Sequence, residues 1–177
     1  MDDMNKRLEE LPKLAREVKK ENQKYFARLK KRPQKRLDYL MQEIHDAEFK
    51  KTDCLDCGNC CRTTSPIFTE KDIQRISKHL RMKEADFINQ YIDRDEDDFY
   101  VLKSVPCTFF DETDNSCFIY DVRPKACSDY PHTNRKKFIK ITDLAVQNTE
   151  VCPAVYSIIE KLKEKLPLHS NIKKKRS

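Results

Sequence analysis

Along the first fifty residues apolar positions recur every three or four places, with charged side chains filling the intervals. Leu8, Leu11, Leu14, Ala15 and Val18 make a narrow stripe of this kind and predict a helix over residues 5–30. Pro12 lies inside that helix and is expected to kink or delay it, and Pro33 to end it. A second stripe, Leu37, Leu40, Met41 and Ile44, predicts an amphipathic helix over 34–48.

Past residue 60 the pattern shortens. Thr69-x-x-Asp72 has the form of a capping box and opens a helix through Ile73, Ile76 and Leu80. Another short helix is expected over 84–92, and the acidic stretch 93–98 reads as a loop. Phe99 to Leu102 reads as a strand. Cys107 to Phe110 and Cys117 to Tyr120 flank the polar run 111–116, which is a hairpin pattern. Arg123-Pro124 begins a helical turn through Cys127, and Phe138 to Ile141 is expected as a further strand. Pro153 stands where a last helix would start, with Val155, Ile158, Ile159 and Leu162 as its buried face. The elements together predict an α+β fold, a mostly helical small domain with a short antiparallel β-hairpin, nucleated by a cysteine-ligated metal site. The expected organisation is a helical N-terminal arm over 1–50, a cysteine-cluster domain over 51–167 and a basic disordered tail over 168–177.

The composition predicts a fold that needs help beyond its apolar core. Of 177 residues, 37% are charged and 38% hydrophobic, with no Trp, so the apolar supply is thin. Bound metal can supply folding free energy directly. The N-terminus opens with acids and carries no apolar run of secretory or membrane-spanning length, so the expectation is a cytoplasmic protein with no membrane span. Reducing compartments do not keep structural disulfides. Charge is uneven: 14 basic and 10 acidic side chains in residues 1–50, 15 and 19 in 51–160, 7 and 1 in 161–177. The basic tail Lys173-Lys174-Lys175-Arg176 could touch nucleic acid or an anionic surface, but the signal is weak and a solvated terminus is the simpler reading.

The eight cysteines carry the chemistry. They run Cys54-x2-Cys57-x2-Cys60-Cys61, then Cys107, Cys117, Cys127 and Cys152. Two residues between cysteines let one tight turn aim both sulfurs at a single ion or cluster. Gly58, the one glycine of the chain, lies inside this run. It allows positive φ and close approach of backbone N–H groups to sulfur. Inert buried thiols, a disulfide framework or a Cys-x-x-Cys redox pair account less well for four cysteines in eight residues. All eight are candidate metal ligands, in two four-ligand sites or one multinuclear site with spare thiols. Zinc and an iron–sulfur cluster both fit a thiolate set with no histidine in the motif. Of the scattered histidines His45, His79, His132 and His169, only His132 is near enough in sequence to a cysteine to serve.

Hairpin register bears on the partition. A three-residue loop at 111–113 sets Cys107 opposite Cys117, where both could bind one ion. A five-residue loop at 112–116 sets Cys107 opposite Asp121, with Cys117 roughly 13 Å along the ladder.

Cys54-x2-Cys57-x2-Cys60-Cys61, Pro106-Cys107-x-Phe109-Phe110, Cys117-x-Ile119-Tyr120, Arg123-Pro124-x2-Cys127 and Tyr130-Pro131 together resemble the CxxCxxCC cysteine-cluster family, also described as YkgJ-like proteins. The resemblance covers about residues 52–155 and implies zinc or iron chelation. A similar cluster in flagellin lysine methylases implies an enzymatic alternative. Family members often carry a basic residue after Cys127, where this chain has Ser128. Within the motif Arg123 is expected to offset thiolate charge and to tie the hairpin to the dense cysteine run through its two-pronged guanidinium, with Arg62 a weaker candidate for the same work.

Three functional classes fit above metal binding. The first is an accessory or interaction module, with residues 1–50 as the surface for a protein partner. The second is a metal-dependent enzyme, for example a protein-modifying one. The third delivers or senses metal. No glycine-rich phosphate loop, nucleophile elbow or His-Glu-x-x-His motif supports the enzyme.

Overall fold

A computed structural model describes residues 2–32 and 34–168, so Pro33, His169 and the basic run 173–176 lie outside the described residues. In chain order the elements are α1 (Asp2–Lys31), α2 (Leu37–Phe49), α3 (Cys54–Cys57), α4 (Asn59–Thr63), β1 (Ile67–Phe68), α5 (Glu70–His79), α6 (Glu84–Tyr91), β2 (Ile92–Arg94), β3 (Tyr100–Leu102), α7 (Lys125–Asp129), α8 (Thr142–Asn148) and α9 (Pro153–Lys165). The fold is the expected α+β class, mostly helical with a small antiparallel sheet. Helix α1 runs on through Pro12. A proline removes one intrahelical bond, and thirty residues of otherwise strong helix formers absorb that loss.

By contact the chain divides into two compact units, residues 2–6 with 53–131 and residues 7–52 with 132–168. The second has a core in which Phe26, Leu29, Met41 and Ile44 pack with Phe138, Val155, Ile158, Ile159 and Leu162. Residues 138–141 form a 3-10 turn, not the expected strand. The Asp38 carboxylate accepts the N–H groups of Lys137 (2.6 Å) and Phe138 (3.1 Å), which occupies amides a strand ladder would need, and the Phe138 ring is fully buried. Buried Glu48 pairs with Lys161 and, at 3.5 Å, with Lys51. The Tyr25 hydroxyl donates to the Leu166 carbonyl at 3.0 Å, and burial pushes its pKa up to about 12.

The first unit carries the sheet, in the order β1-β3-β2, with Ile67 opposite Val101 and Ile92 opposite Leu102. Strand β2 therefore takes Asp93 and Arg94 from the stretch expected as an acidic loop, and Ile92 from the end of the helix expected over 84–92. Phe68, Ile73, Ile76, Phe87, Ile92, Leu102, Phe109 and Ile119 form this unit's core, and Cys107 and Cys117 pack against it. The capping box is present at the head of α5: the Thr69 hydroxyl accepts the Asp72 N–H, and the Asp72 carboxylate accepts the Thr69 N–H at 2.9 Å. Asp72 is buried. It also accepts from Arg75 at 2.6 Å and from the N–H of Lys125 at 3.1 Å, so one carboxylate joins α5 to the segment bearing Cys127. Burial alone would raise its pKa; the hydrogen bonds from Thr69, Arg75 and Lys125 outweigh that and hold it below the usual carboxylate range.

Candidate metal centre

The dense cysteine run folds as two single-turn helices hinged at Gly58. Asp53 caps α3 by accepting the Leu55 N–H at 2.9 Å, and α3 carries Cys54 and Cys57. The Gly58 N–H closes that turn on the Cys54 carbonyl at 2.9 Å. Gly58 itself has φ +56° and starts α4, which carries Cys60 and Cys61. A Cβ at Gly58 would stand 2.7 Å from Phe110 Cζ and 2.8 Å from Arg62 Nη1, so both dihedral and space demand glycine.

Arg62 does the tying expected of Arg123. Its Nη1 donates to the Cys57 carbonyl at 2.7 Å, its Nη2 donates to Asn115 Oδ1, and its guanidinium carbon lies 4.9 Å from the Phe110 ring centroid. Asn115, in the left-handed region at φ +61°, returns a donor to the Asp56 carbonyl at 3.4 Å. The α3 carbonyls are thus held against the 111–116 loop. The available sequence signal was position: four residues after the lone glycine, Arg62 reaches back to the open C-terminal carbonyls of α3. Arg123 stacks on Tyr120 at 3.9 Å and donates to the Tyr120 carbonyl at 2.6 Å. It does stand near thiols, favouring the ionised forms of Cys54, Cys117 and Cys127.

The later cysteines approach through backbone hydrogen bonds. The Cys107 N–H donates to the Cys61 carbonyl at 2.8 Å. Phe110 pairs with Cys117 as an isolated antiparallel bridge, and the Phe118 N–H donates to the Phe109 carbonyl at 2.9 Å. That register is neither of the two expected. It leaves a loop at 112–115, because Asp111 N–H closes on the Ser116 carbonyl at 3.0 Å while Asp111 and Asp114 side chains accept amides of Thr113 and Ser116. Cys107, Cys117 and Cys127 each open a turn of one kind, their carbonyls accepting the N–H three residues on at 3.0, 3.1 and 3.3 Å.

Cys54, Cys107, Cys117 and Cys127 each lie within electrostatic reach of Cys61. Its pKa is raised by the hydrogen bond with the Cys60 thiol, by burial and by the neighbouring charge. Burial pushes Cys107 up to about 11 and Cys127 up to about 12, and raises Cys54 and Cys117 as well, with other cysteines adding to each shift. Such a set is neutral without a cation and ionises onto one, which is the behaviour of a thiolate metal site. Among the described residues, no group of three or more Cys, His, Asp or Glu side chains is so placed that it could hold a metal ion.

Cys152 lies in the other unit. It precedes α9 and packs against that unit's apolar core. His132 begins that same unit, His79 is exposed on α5, and His45 packs on Phe49 with Nδ1 2.7 Å from the Thr133 hydroxyl. Among the described residues no helix is long and apolar enough to cross a membrane. A family model, CxxCxxCC, described as "Putative zinc- or iron-chelating domain", matches residues 53–153. No solved structure matches the chain.

Proposed function

The chain belongs to the CxxCxxCC family, and on that footing we propose that it is a metal-binding protein whose first-unit cysteines chelate zinc or iron. The reading rests on one observation above all: the Cys107 N–H bonds the Cys61 carbonyl at 2.8 Å, and Cys54, Cys107, Cys117 and Cys127 each lie within electrostatic reach of Cys61. Cys54, Cys57, Cys60, Cys61, Cys107, Cys117 and Cys127 would hold the metal. A thiolate set without histidine suits a structural zinc ion or an iron–sulfur cluster, the first supplying folding free energy and the second redox chemistry. The chain's own residues prepare the site: Gly58 permits the tight hinge, Arg62 and Asn115 hold its carbonyls, and Arg123 places positive charge beside the sulfurs.

Metal removal tests this directly. Stripping the protein with a chelator under reducing conditions should lower its melting temperature, and returning zinc or ferrous ion should restore it. A melting temperature unmoved by both treatments overturns the reading.

A further inference from the structure

The second unit carries charge that metal chelation does not use. Between Glu21 and Asp38 the chain has seven lysines and arginines and no acidic residue; between Asp129 and Asp143 it has four, and again no acid. All eleven of these side chains are exposed. We propose that the two stretches form one binding surface for single-stranded nucleic acid, with the cations on its phosphates and a base stacked on Tyr39. This surface is independent of the chelation reading.

The fold joins the two stretches through the acids that bound them. Asp38, at the head of α2, accepts the N–H groups of Lys137 at 2.6 Å and Phe138 at 3.1 Å. The loop 134–137 is thereby set beside the end of the α1–α2 connection. Lys137 stands in the left-handed region at φ +59°, a conformation costly to an L residue, and its amide is held there by Asp38. Asp143, in the first turn of α8, pairs with Lys30 of α1 at 2.9 Å and makes a second tie. Both bounding acids are therefore engaged. Among the described residues, no ion pair takes up any of the other ten cations.

The cations also stand in a usable order. Lys24, Arg28 and Lys31 recur along the exposed side of α1 at four and three residues, rises of about 6 and 4.5 Å. Arg32, Lys35 and Arg36 carry the row on to Tyr39. Phosphates along a strand call for such a row, and each arginine fork can take two oxygens of one phosphate.

Tyr39 selects the partner. Its ring is 63% exposed, and the Arg36 guanidinium carbon lies 5.0 Å from the ring centroid. An exposed aromatic ring among cations offers an unpaired base a stacking platform, to which the guanidinium adds. Bases in a duplex are already stacked and present no free face. An anionic bilayer would call for apolar side chains to insert, but the apolar side of α1, with Phe26 and Leu29, is buried in the core of the unit.

The test is fluorescence polarisation of labelled oligothymidylate with the full chain, over a range of salt. Binding is expected at low salt, with the logarithm of the association constant falling linearly against that of salt. Arg32→Glu with Lys35→Glu, and separately Arg135→Glu with Lys136→Glu, should each weaken binding about tenfold or more and flatten that slope. Tyr39→Ala should weaken it about tenfold with the slope unchanged, and Tyr39→Phe should bind like the parent. Melting temperatures check that each variant is folded; a glutamate pair that melts below the parent is replaced by the matching glutamine pair. No binding at low salt, or charge variants that bind like the parent, overturns the proposal. A duplex bound as tightly as the single strand, or phosphatidylserine vesicles bound while the oligonucleotide is not, overturns the choice of partner.

Discussion

The backbone N–H of Cys107 donates to the carbonyl oxygen of Cys61 at 2.8 Å, a direct link between the dense cysteine run and the cysteines that follow the sheet. It ties the backbone of Cys61, the last of the run, to the segment that bears Cys107. The position of Cys61 follows in turn from the hinge at Gly58 and from the grip of Arg62 on the turn before it.

Gly58→Ala should damage both stability and metal binding. The left-handed backbone alone costs an L residue about 1–2 kcal/mol. The new Cβ must also displace the Phe110 ring or the Arg62 guanidinium from 2.7 and 2.8 Å. Chemical denaturation of the metal-loaded protein measures the loss, and a variant as stable as the parent contradicts the hinge.

Arg62→Lys keeps the charge but removes the paired donors that reach Cys57 and Asn115 together. Metal affinity should fall about tenfold or more, the usual effect of losing a group that orients a ligand. Because Arg62 and Asn115 share one hydrogen bond, the losses from Arg62→Lys and Asn115→Ala should not add in the double variant. Competition against a chromophoric chelator gives the affinities. Additive losses would mean that the two side chains act separately.

Asp72 links stability to acid. Its folded pKa lies below the unfolded value of about 3.9, so its contribution is complete above the unfolded pKa and is lost as pH falls through the folded one. Asp72→Asn leaves donors from Arg75 and Lys125 facing a neutral amide, and should cost about 2–4 kcal/mol at neutral pH while flattening the acid limb of the stability profile. Urea unfolding across pH 2–7 reads both effects. An Asn variant with the parent's acid limb assigns that limb to other carboxylates.

His45 has the same sign of dependence at higher pH. Burial lowers its pKa, against the opposing charge of Asp46, so the folded state resists its protonation. Stability should be full above the ordinary imidazole range and decline as pH drops through it. His45→Gln should remove that decline. Melting temperatures across pH 5–8 give the answer, and equal slopes in parent and variant contradict it.

Local chemistry was legible in the sequence, and long-range geometry was not. The lone glycine inside the cysteine run, the Thr69–Asp72 capping box and the proline at the start of α9 each state their structure within a few residues. The Cys107–Cys117 register was hidden because two Asx turns, at Asp111 and Asp114, shorten the loop in a way that strand alternation does not report. Phe138–Ile141 has strand composition, yet the Asp38 carboxylate, a hundred residues earlier, takes the amide of Phe138 and that of Lys137 before it. Arg123 drew attention through its neighbouring Pro and Cys, but which arginine binds the α3 carbonyls depends on where the 111–116 loop lies. The shared core of residues 7–52 and 132–168 is likewise written in no local pattern.

The most direct measurement is elemental analysis of the full chain purified without oxygen and without added chelator, with zinc, iron and acid-labile sulfide counted per polypeptide. The account expects at least one zinc or iron per chain, held through gel filtration and released when the thiols are alkylated under denaturing conditions. A folded chain free of both metals, with all its cysteines open to alkylation in the native state, would contradict it.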